Sequence, residues 1–245
     1  MTETYYKAVR PDGTDFWTGT VRWLPRTPLK RSRTVRHPSS TCAVEGDHST
    51  SLAVSTDPTE LPGAGWPMRL CRVEPVEDVI ITDTYKRQSL AWRVVEEASP
   101  ALRFGPQGPH VAALIARAGS LTAGEADRLP AAWAVAWDAA WVAARSAARD
   151  AARDATWAAA RVAAGAAARA TARAAAGAAA RVAAGAVAGA AARDAAVALV
   201  VRDLIGQHGL TQDHYDTLTR PWRTVIGPIH PDDPEVTAWS PHRRR

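Results

Sequence analysis

An alanine-rich stretch between Ala131 and Ile205 constrains the fold of this chain more than any other part of it. Alanine has the highest helix propensity because it loses no side-chain entropy in a helix. The stretch is therefore predicted to be helical. Every fourth position interrupts the alanines with tryptophan, arginine or glycine, in the order Trp133, Trp137, Trp141, Arg145, Arg149, Arg153, Trp157, Arg161, Gly165, Arg169, Arg173, Gly177, Arg181, Gly185, Gly189 and Arg193.

This period of four differs from the helical repeat of 3.6, so the register turns by about 40° per step around a straight helix. Three interpretations are open: one long rod, several shorter helices, or a sequence repeat without structural meaning. Glycine costs ~1 kcal/mol in a helix interior and also allows two backbones to approach closely. Because alanine buries little surface, we predict at least two helices with a break between Gly165 and Gly189. These helices should pack against each other and partly against residues 1–100.

The same stretch is not expected to cross a membrane. A spanning helix needs ~20 largely uncharged residues. The longest uncharged run within the register, Val182–Ala192, is bounded by Arg181 and Arg193. Alanine is also a poor apolar anchor for a membrane surface.

The composition sets broader bounds. The 245 residues carry a net charge of +5 and a pI near 9.7, which permits binding to nucleic acid or acidic surfaces without requiring it. Two cysteines, Cys42 and Cys71, do not make a disulfide framework. The first residues lack the apolar core of a secretory signal. We therefore expect a cytoplasmic, reduced protein.

Residues 1–100 are predicted to form a small β-rich α+β domain. Aromatic and β-branched residues alternate with polar ones over short segments separated by turn residues. The first two segments, joined by Pro11-Asp12-Gly13, predict a hairpin. The predicted strands are residues 4–10, 16–24, 51–56, 68–74, 76–82 and 89–96.

The rest of the chain is predicted to be helical, with an alanine-rich helical region over 109–206 that forms a helical hairpin or bundle. Pro109 suits the first turn of a helix over 110–118, and Thr122 with Glu125 fits a capping box. A short C-terminal helical segment over 207–227 should contain a helix at 212–219 that Thr211 caps and Pro221 ends. Residues 228–245 are expected to be a disordered basic tail.

A basic segment follows the predicted hairpin. No acid occurs between Asp15 and Glu45. Like charges at this density favour an extended, mobile loop, and the arginine fork also suits phosphate groups. The segment is either a solvated loop or a nucleic-acid contact through Arg22, Arg26, Lys30, Arg31, Arg33 and Arg36.

Two further clusters contain residue types with catalytic or metal-binding chemistry. His37, Cys42, His48 and Cys71 offer zinc ligands, but their spacing matches no compact finger, and Cys71 within a strand is expected to be a small buried hydrophobe. Asp213 and Asp216 would share a helix face beside His214. Polar side chains on an exposed helix face explain that group, so neither a metal nor an acid–base site is expected.

Five segments together resemble an uncharacterised domain of actinobacterial and bacteriophage or prophage proteins. They are Tyr6–Gly13, Phe16–Gly19, His37-Pro38, Val54–Thr56 and Trp66–Pro75. The resemblance covers residues 1 to about 100, and low-complexity repeats often follow such domains. It implies no established activity. Family members tend to carry a histidine two residues before the Val54-Ser55 equivalent, where this chain has Leu52.

A second resemblance is to ADP-ribosyltransferases of the Arg–Ser-Thr-Ser–Glu type. Arg10, Ser55-Thr56 and Glu74 or Glu77 occur in that order. The resemblance implies that Arg10 holds an NAD phosphate, Ser55 orients the strands and a glutamate stabilises the transferring sugar. Asp57 stands where the motif has its second serine.

We therefore expect a non-enzymatic binding or scaffolding protein whose helical region packs on itself or on a protein partner. An ADP-ribosyltransferase-like enzyme that uses NAD is the alternative. Nucleic-acid binding through the segment Arg22–Arg36 is the third possibility.

Overall fold

The structure, a computed structural model, describes residues 3–38, 50–61, 63–136, 139–154, 165–174 and 184–234. The chain divides into two compact units, Met1–Arg103 and Phe104–Arg245. The first contains an antiparallel sheet and the second contains helices, which confirms the α+β fold class. Within these described ranges, no helix is both long and apolar enough to cross a membrane.

The sheet of the first unit has seven strands, and every pairing between neighbours is antiparallel. Their order across the sheet is β2-β7-β4-β1-β3-β6-β5, so β2 and β5 are the edges. The strands are β1 (Tyr5–Val9), β2 (Arg33–Arg36), β3 (Leu52–Ser55), β4 (Arg69–Pro75), β5 (Ile80–Ile81), β6 (Lys86–Ser89) and β7 (Ala91–Ala98).

Apolar side chains cover both faces of this sheet. Successive side chains point to opposite sides of a strand, so one strand can contribute to both apolar layers. Val9 and Val73 pack on one face with Trp23, which is fully buried. Ala8 and Leu70 pack on the other face. Loops supply much of the cover, so short strands suffice to enclose two apolar layers.

The expected N-terminal hairpin is wrong in its second half. β1 forms as predicted, but residues 16–24 make a loop around Asp15 with only isolated bridges to their neighbours. The Asp15 carboxylate accepts hydrogen bonds from the backbone N–H groups of Thr18 (2.6 Å) and Val21 (3.0 Å). These bonds replace a strand ladder, and local side-chain bonding of this kind competes with regular structure.

The other strands differ from expectation mainly in length. The predicted segments 51–56, 68–74 and 89–96 correspond to β3, β4 and β7, whereas 76–82 contains only the two-residue β5. Strand β6 was not predicted, because its residues are polar. Arg87 in β6 is nevertheless buried, and it forms an ion pair with Glu3 at 2.6 Å.

In the described residues the second unit contains six α-helices, and three of them begin as predicted, one of these with Thr211 as its N-cap. Pro109 lies in the first turn of the first helix, and Thr122 and Glu125 form the predicted capping box before the second. The helices are α1 (Gly108–Gly119), α2 (Ala123–Ala136), α3 (Ala139–Asp154), α4 (residues 165–174), α5 (Ala184–Val201) and α6 (Gln212–Val225).

Two prolines lie inside helices rather than at their ends. Pro130 is in the middle of α2, and Pro221, the predicted end of the short helix, is within α6. A proline in a helix interior costs ~3 kcal/mol. Packing outweighs that cost here, since α6 contacts α2, α3 and α5.

The alanine-rich helices pack against one another, as the sequence predicted, since α5 contacts both α2 and α3. The rings of Trp133 and Trp141 lie 5.4 Å apart, whereas eight residues of one straight helix would span about 12 Å. α2 and α3 are therefore not parts of one straight helix. No break occurs at Gly185 or Gly189, because both lie within α5, while residues 175–183 between α4 and α5, which include Gly177, are outside the described residues.

The first part of the expected tail is ordered. The Asp233 side chain accepts hydrogen bonds from the backbone N–H groups of Ile229 (3.1 Å) and His230 (3.0 Å). Arg202 pairs with Asp232 and Asp233. Residues 228–234 thus form a turn fixed to the helical unit, and residues 235–245 lie outside the described part of the chain.

Candidate functional site

The sheet register separates the residues that resemble the ADP-ribosyltransferase motif. Tyr5 faces Val73 and Val9 faces Arg69, so Arg10 and Glu74 follow opposite ends of the β1–β4 pair. Six residue steps separate them along the strands, roughly 20 Å. They do not line one cleft.

The remaining motif residues have structural partners of their own. The Ser55 hydroxyl donates to the Asp57 carbonyl at 2.9 Å and accepts the Asp57 N–H, so it closes a local turn. Glu74 pairs with Arg93 at 2.8 Å, and Glu77 pairs with Arg36. Among the described residues, these side chains do not form the arrangement needed to hold NAD.

The residues considered for a metal site do not assemble either. Cys42 and His48 fall outside the described residues, and no group of three His, Cys, Asp or Glu suited to a metal occurs in the described ranges. Cys71 is buried as predicted, and burial raises the pKa of its thiol to about 12. A thiol with that pKa is neither a nucleophile nor a ready metal ligand at neutral pH.

The polar group on α6 caps and braces that helix. The Thr211 side chain accepts the His214 backbone N–H, and the His214 ring accepts the Thr211 N–H in return. Asp216 accepts from buried Arg223 at 2.9 Å. The pair Asp213 and Asp216 is accordingly explained by helix structure.

The basic segment has more order than expected, because its last part is the edge strand β2. Arg33 faces Val94 and Arg36 faces Ala91 of β7, so the expectation of a mobile loop is wrong for these residues. The residues before β2 contact side chains of β4 and β7. The Arg69 side chain donates to the Thr27 carbonyl at 3.2 Å, and the Leu29 backbone donates to Glu97.

Two of the six predicted cations are occupied within the unit. Arg22 donates to the Asp12 carbonyl at 2.7 Å, and Arg36 pairs with Glu77. The other four form no ion pair with any carboxylate in the described part of the chain, and three of them are exposed. We call these four residues the basic edge: Arg26, Lys30, Arg31 and Arg33.

The carboxylates of the neighbouring strand β7 do not neutralise the basic edge, because arginines of β4 form ion pairs with them. Glu97 accepts two hydrogen bonds from Arg69, at 2.7 and 2.8 Å, and the first of these holds the pKa of Glu97 below its ordinary value. Glu96 pairs with Arg72 at 2.7 Å. Positive charge therefore dominates this side of the sheet.

An exposed tryptophan, Trp17, lies in the loop that precedes the basic edge in the chain, where the sequence predicted a strand. Burial opposes ionisation of Asp15, but hydrogen bonds from Thr18 and Val21 outweigh it and lower the pKa of Asp15. The loop folded around this carboxylate leaves Trp17 79% exposed. The loop follows Val9, which faces Arg69, and Arg69 also contacts the segment that begins the basic edge.

No protein-family model, no curated protein and no solved structure matches this chain. The resemblance to the actinobacterial and phage domain stays a prediction.

Proposed function

We propose that this protein is a non-enzymatic binding protein and that its sheet unit binds single-stranded nucleic acid along the basic edge. The observation that carries the proposal is a set of four cations without carboxylate partners among the described residues, together with the exposed ring of Trp17 in the loop that precedes them in the chain. Proteins that bind single strands combine backbone-tracking positive charge with aromatic rings on which bases stack. We also propose a cytoplasmic location, as expected from the cysteine content.

The length of the basic edge suits a flexible polyanion better than a small ligand. Arg26 and Arg33 are seven residues apart, which extended chain can stretch to about 25 Å. Phosphates spaced along a single strand can meet several such cations at once, and each neutralised phosphate releases counterions. Binding should therefore be weakly selective for sequence and strongly dependent on salt.

A protein partner on the helical region has less support. The large apolar side chains of that unit pack inside it, including Trp141, Leu199 and Trp222. Of its large apolar residues in the described ranges, only Val135 and Val142 are exposed. A docking or self-association face would normally expose a larger apolar patch.

The direct test is fluorescence anisotropy with a labelled oligothymidylate of about 12 nucleotides over a range of salt concentrations. Replacing all four residues of the basic edge by alanine should weaken binding and reduce the slope of log K against log salt by about 2.8, that is 0.7 for each lost phosphate contact. A matched control removes four exposed arginines of the helical unit: Arg128, Arg169, Arg173 and Arg220.

The control should keep the wild-type slope although its net charge changes equally. Trp17→Ala should weaken binding at least about fivefold, because one stacked base contributes ~1–3 kcal/mol, while Trp17→Phe should retain most of it. Equal losses in the basic-edge variant and the control would refute the interface. Equal affinity for an oligoglutamate of the same charge would show a general polyanion site and contradict nucleic acid as the partner.

A further inference from the structure

A cavity of about 200 Å³ lies between α3, α4, α5 and α6 in the helical unit. None of its lining residues belongs to the basic edge. Three arginines and one aspartate line it: Arg145, Arg149, Arg193 and Asp194. The remaining wall is apolar, with Val197 and Leu218 among its residues. The cavity is smaller than the ~300–1,000 Å³ of typical drug-sized sites, so it suits a ligand of a few non-hydrogen atoms.

The aspartate in this cavity is buried without being satisfied. Asp194 is only 5% exposed, and its Oδ2 has no hydrogen-bond partner among the residues that the structure describes. A buried polar atom left unpaired costs free energy, so such an atom calls for a specific explanation. A ligand group that donates a hydrogen bond would supply the missing partner.

The arginines attract Asp194 without using up their own donors on it. The Nε atoms of Arg145 and Arg193 lie 3.7 and 3.8 Å from Asp194 Oδ1, beyond normal hydrogen-bond length. Arg149 forms no ion pair within 4.0 Å in the described residues, and it is exposed at the rim. Their N–H groups thus remain available to an anion.

Packing fixes part of this arrangement in advance. The guanidinium of Arg145 lies 5.0 Å from the ring centroid of Trp141, a buried residue of the same helix. Burial lowers the pKa of Arg145 and raises the pKa of Asp194, and the neighbouring arginines offset the second effect only in part. Three cations and one carboxylate leave an excess of positive charge in partly desolvated surroundings, where a bound anion would be stabilised.

We propose that this cavity binds a small phosphate-type oxyanion that carries an O–H group, with the arginines holding the anionic oxygens and Asp194 accepting the O–H. Arginine forks match tetrahedral oxyanions in geometry and charge. The carboxylate adds selectivity, because an anion without a proton would meet it with like charge. Inorganic phosphate is protonated near neutral pH and sulfate is not, although the two ions have the same shape.

The test is calorimetric titration of the full chain at low salt with inorganic phosphate, with sulfate and with glycerol phosphate. Wild-type protein should bind phosphate and prefer it over sulfate by at least about tenfold. Arg149→Ala, at an exposed position that the fold does not need, should weaken phosphate binding about 10- to 100-fold. Arg128→Ala, which removes an exposed arginine of the same unit that does not line the cavity, should change nothing.

Asp194→Asn separates the role of the carboxylate from that of the arginines. An amide can donate as well as accept, so this variant should bind sulfate and phosphate about equally. Tighter binding of glycerol phosphate than of inorganic phosphate would identify an organic phosphate as the ligand, and the reverse would identify the free ion. The basic-edge variant should bind phosphate with the wild-type affinity, so the phosphate measurement is independent of nucleic-acid binding.

Three outcomes would overturn the proposal. They are no phosphate binding by the wild type, an unchanged affinity in Arg149→Ala, and equal binding of sulfate and phosphate by the wild type. If Arg149→Ala lowered the melting temperature and left the affinity unchanged, the four charges would be a structural cluster and the ligand site would be refuted.

Discussion

Leucine at a buried alanine should distinguish close helix packing from a loose assembly of alanine helices. Ala144 of α3 is 0% exposed and belongs to the core cluster with Leu218 and Tyr215 of α6. Ala144→Leu adds three carbons where no space is accessible. Overpacking of this kind costs typically ~1–3 kcal/mol. For a helical unit of this size the melting temperature should fall by roughly 3–10 °C.

The neighbouring Ala143 provides the control, since it is on the same helix and exposed. Leucine and alanine differ by only a few tenths of a kcal/mol in helix propensity, so Ala143→Leu should melt within about 1–2 °C of wild type. The assay is thermal unfolding followed by the helical circular dichroism signal. Equal melting temperatures for the two variants would show that α3 does not pack closely through its alanines, and would contradict the core cluster that contains Ala144.

Three further predictions concern single residues. Gly13→Ala should destabilise the sheet unit by more than ~1 kcal/mol in chemical denaturation, because Gly13 has φ of +90° and an added Cβ would lie 2.1 Å from the Leu24 carbonyl oxygen. Thr211→Ala should cost ~1 kcal/mol through loss of the α6 N-cap, and Thr211→Ser should restore it. Burial, Arg202 and His110 lower the pKa of His230 from 6.5. Below pH 6.5 the unfolded chain therefore binds a proton more readily than the folded chain does, so the free energy of unfolding decreases as the pH falls through that window. His230→Asn should reduce this pH dependence.

The fold was predictable where local chemistry decides it. Alanine propensity, the Thr122–Glu125 capping box and the alternation in β4 each act over a few residues, so they could be recognised in sequence. The loop around Asp15 could not, because a single carboxylate there substitutes for a strand ladder. Strand β6 was missed because its residues are polar, and Glu3, the partner of buried Arg87, is far away in the chain.

The candidate sites divide in the same way. The cations of the basic edge stood out in sequence as a run without acids. Which of them are occupied follows from Glu77 and Asp12, whose proximity only the fold decides. The arginine cavity gave no sequence signal of its own, because Arg145 and Arg193 are 48 positions apart and both belong to a repetitive register.

The register of four residues explains why one stripe contributes both core and surface. Each step turns it by about 40°, so it should leave a helix–helix contact within two or three steps. Along α3 Trp141 is 2% exposed, whereas the side chains of Arg145 and Arg153 are 23% and 66% exposed. A single rod would therefore carry the stripe around all its sides, and short helices allow it to be buried where the bulky residues are.

This rotation predicts unequal costs for equivalent positions of the register. Trp141→Ala should destabilise the helical unit by ~3–5 kcal/mol, because it removes a buried aromatic side chain from the core. Arg153→Ala, three steps further on, should cost less than ~0.5 kcal/mol, since its ion pair with Asp150 is exposed. Chemical denaturation of the two variants measures both values. Similar costs would mean that the stripe keeps one side towards the core along the whole of α3, which a straight helix with this period cannot do.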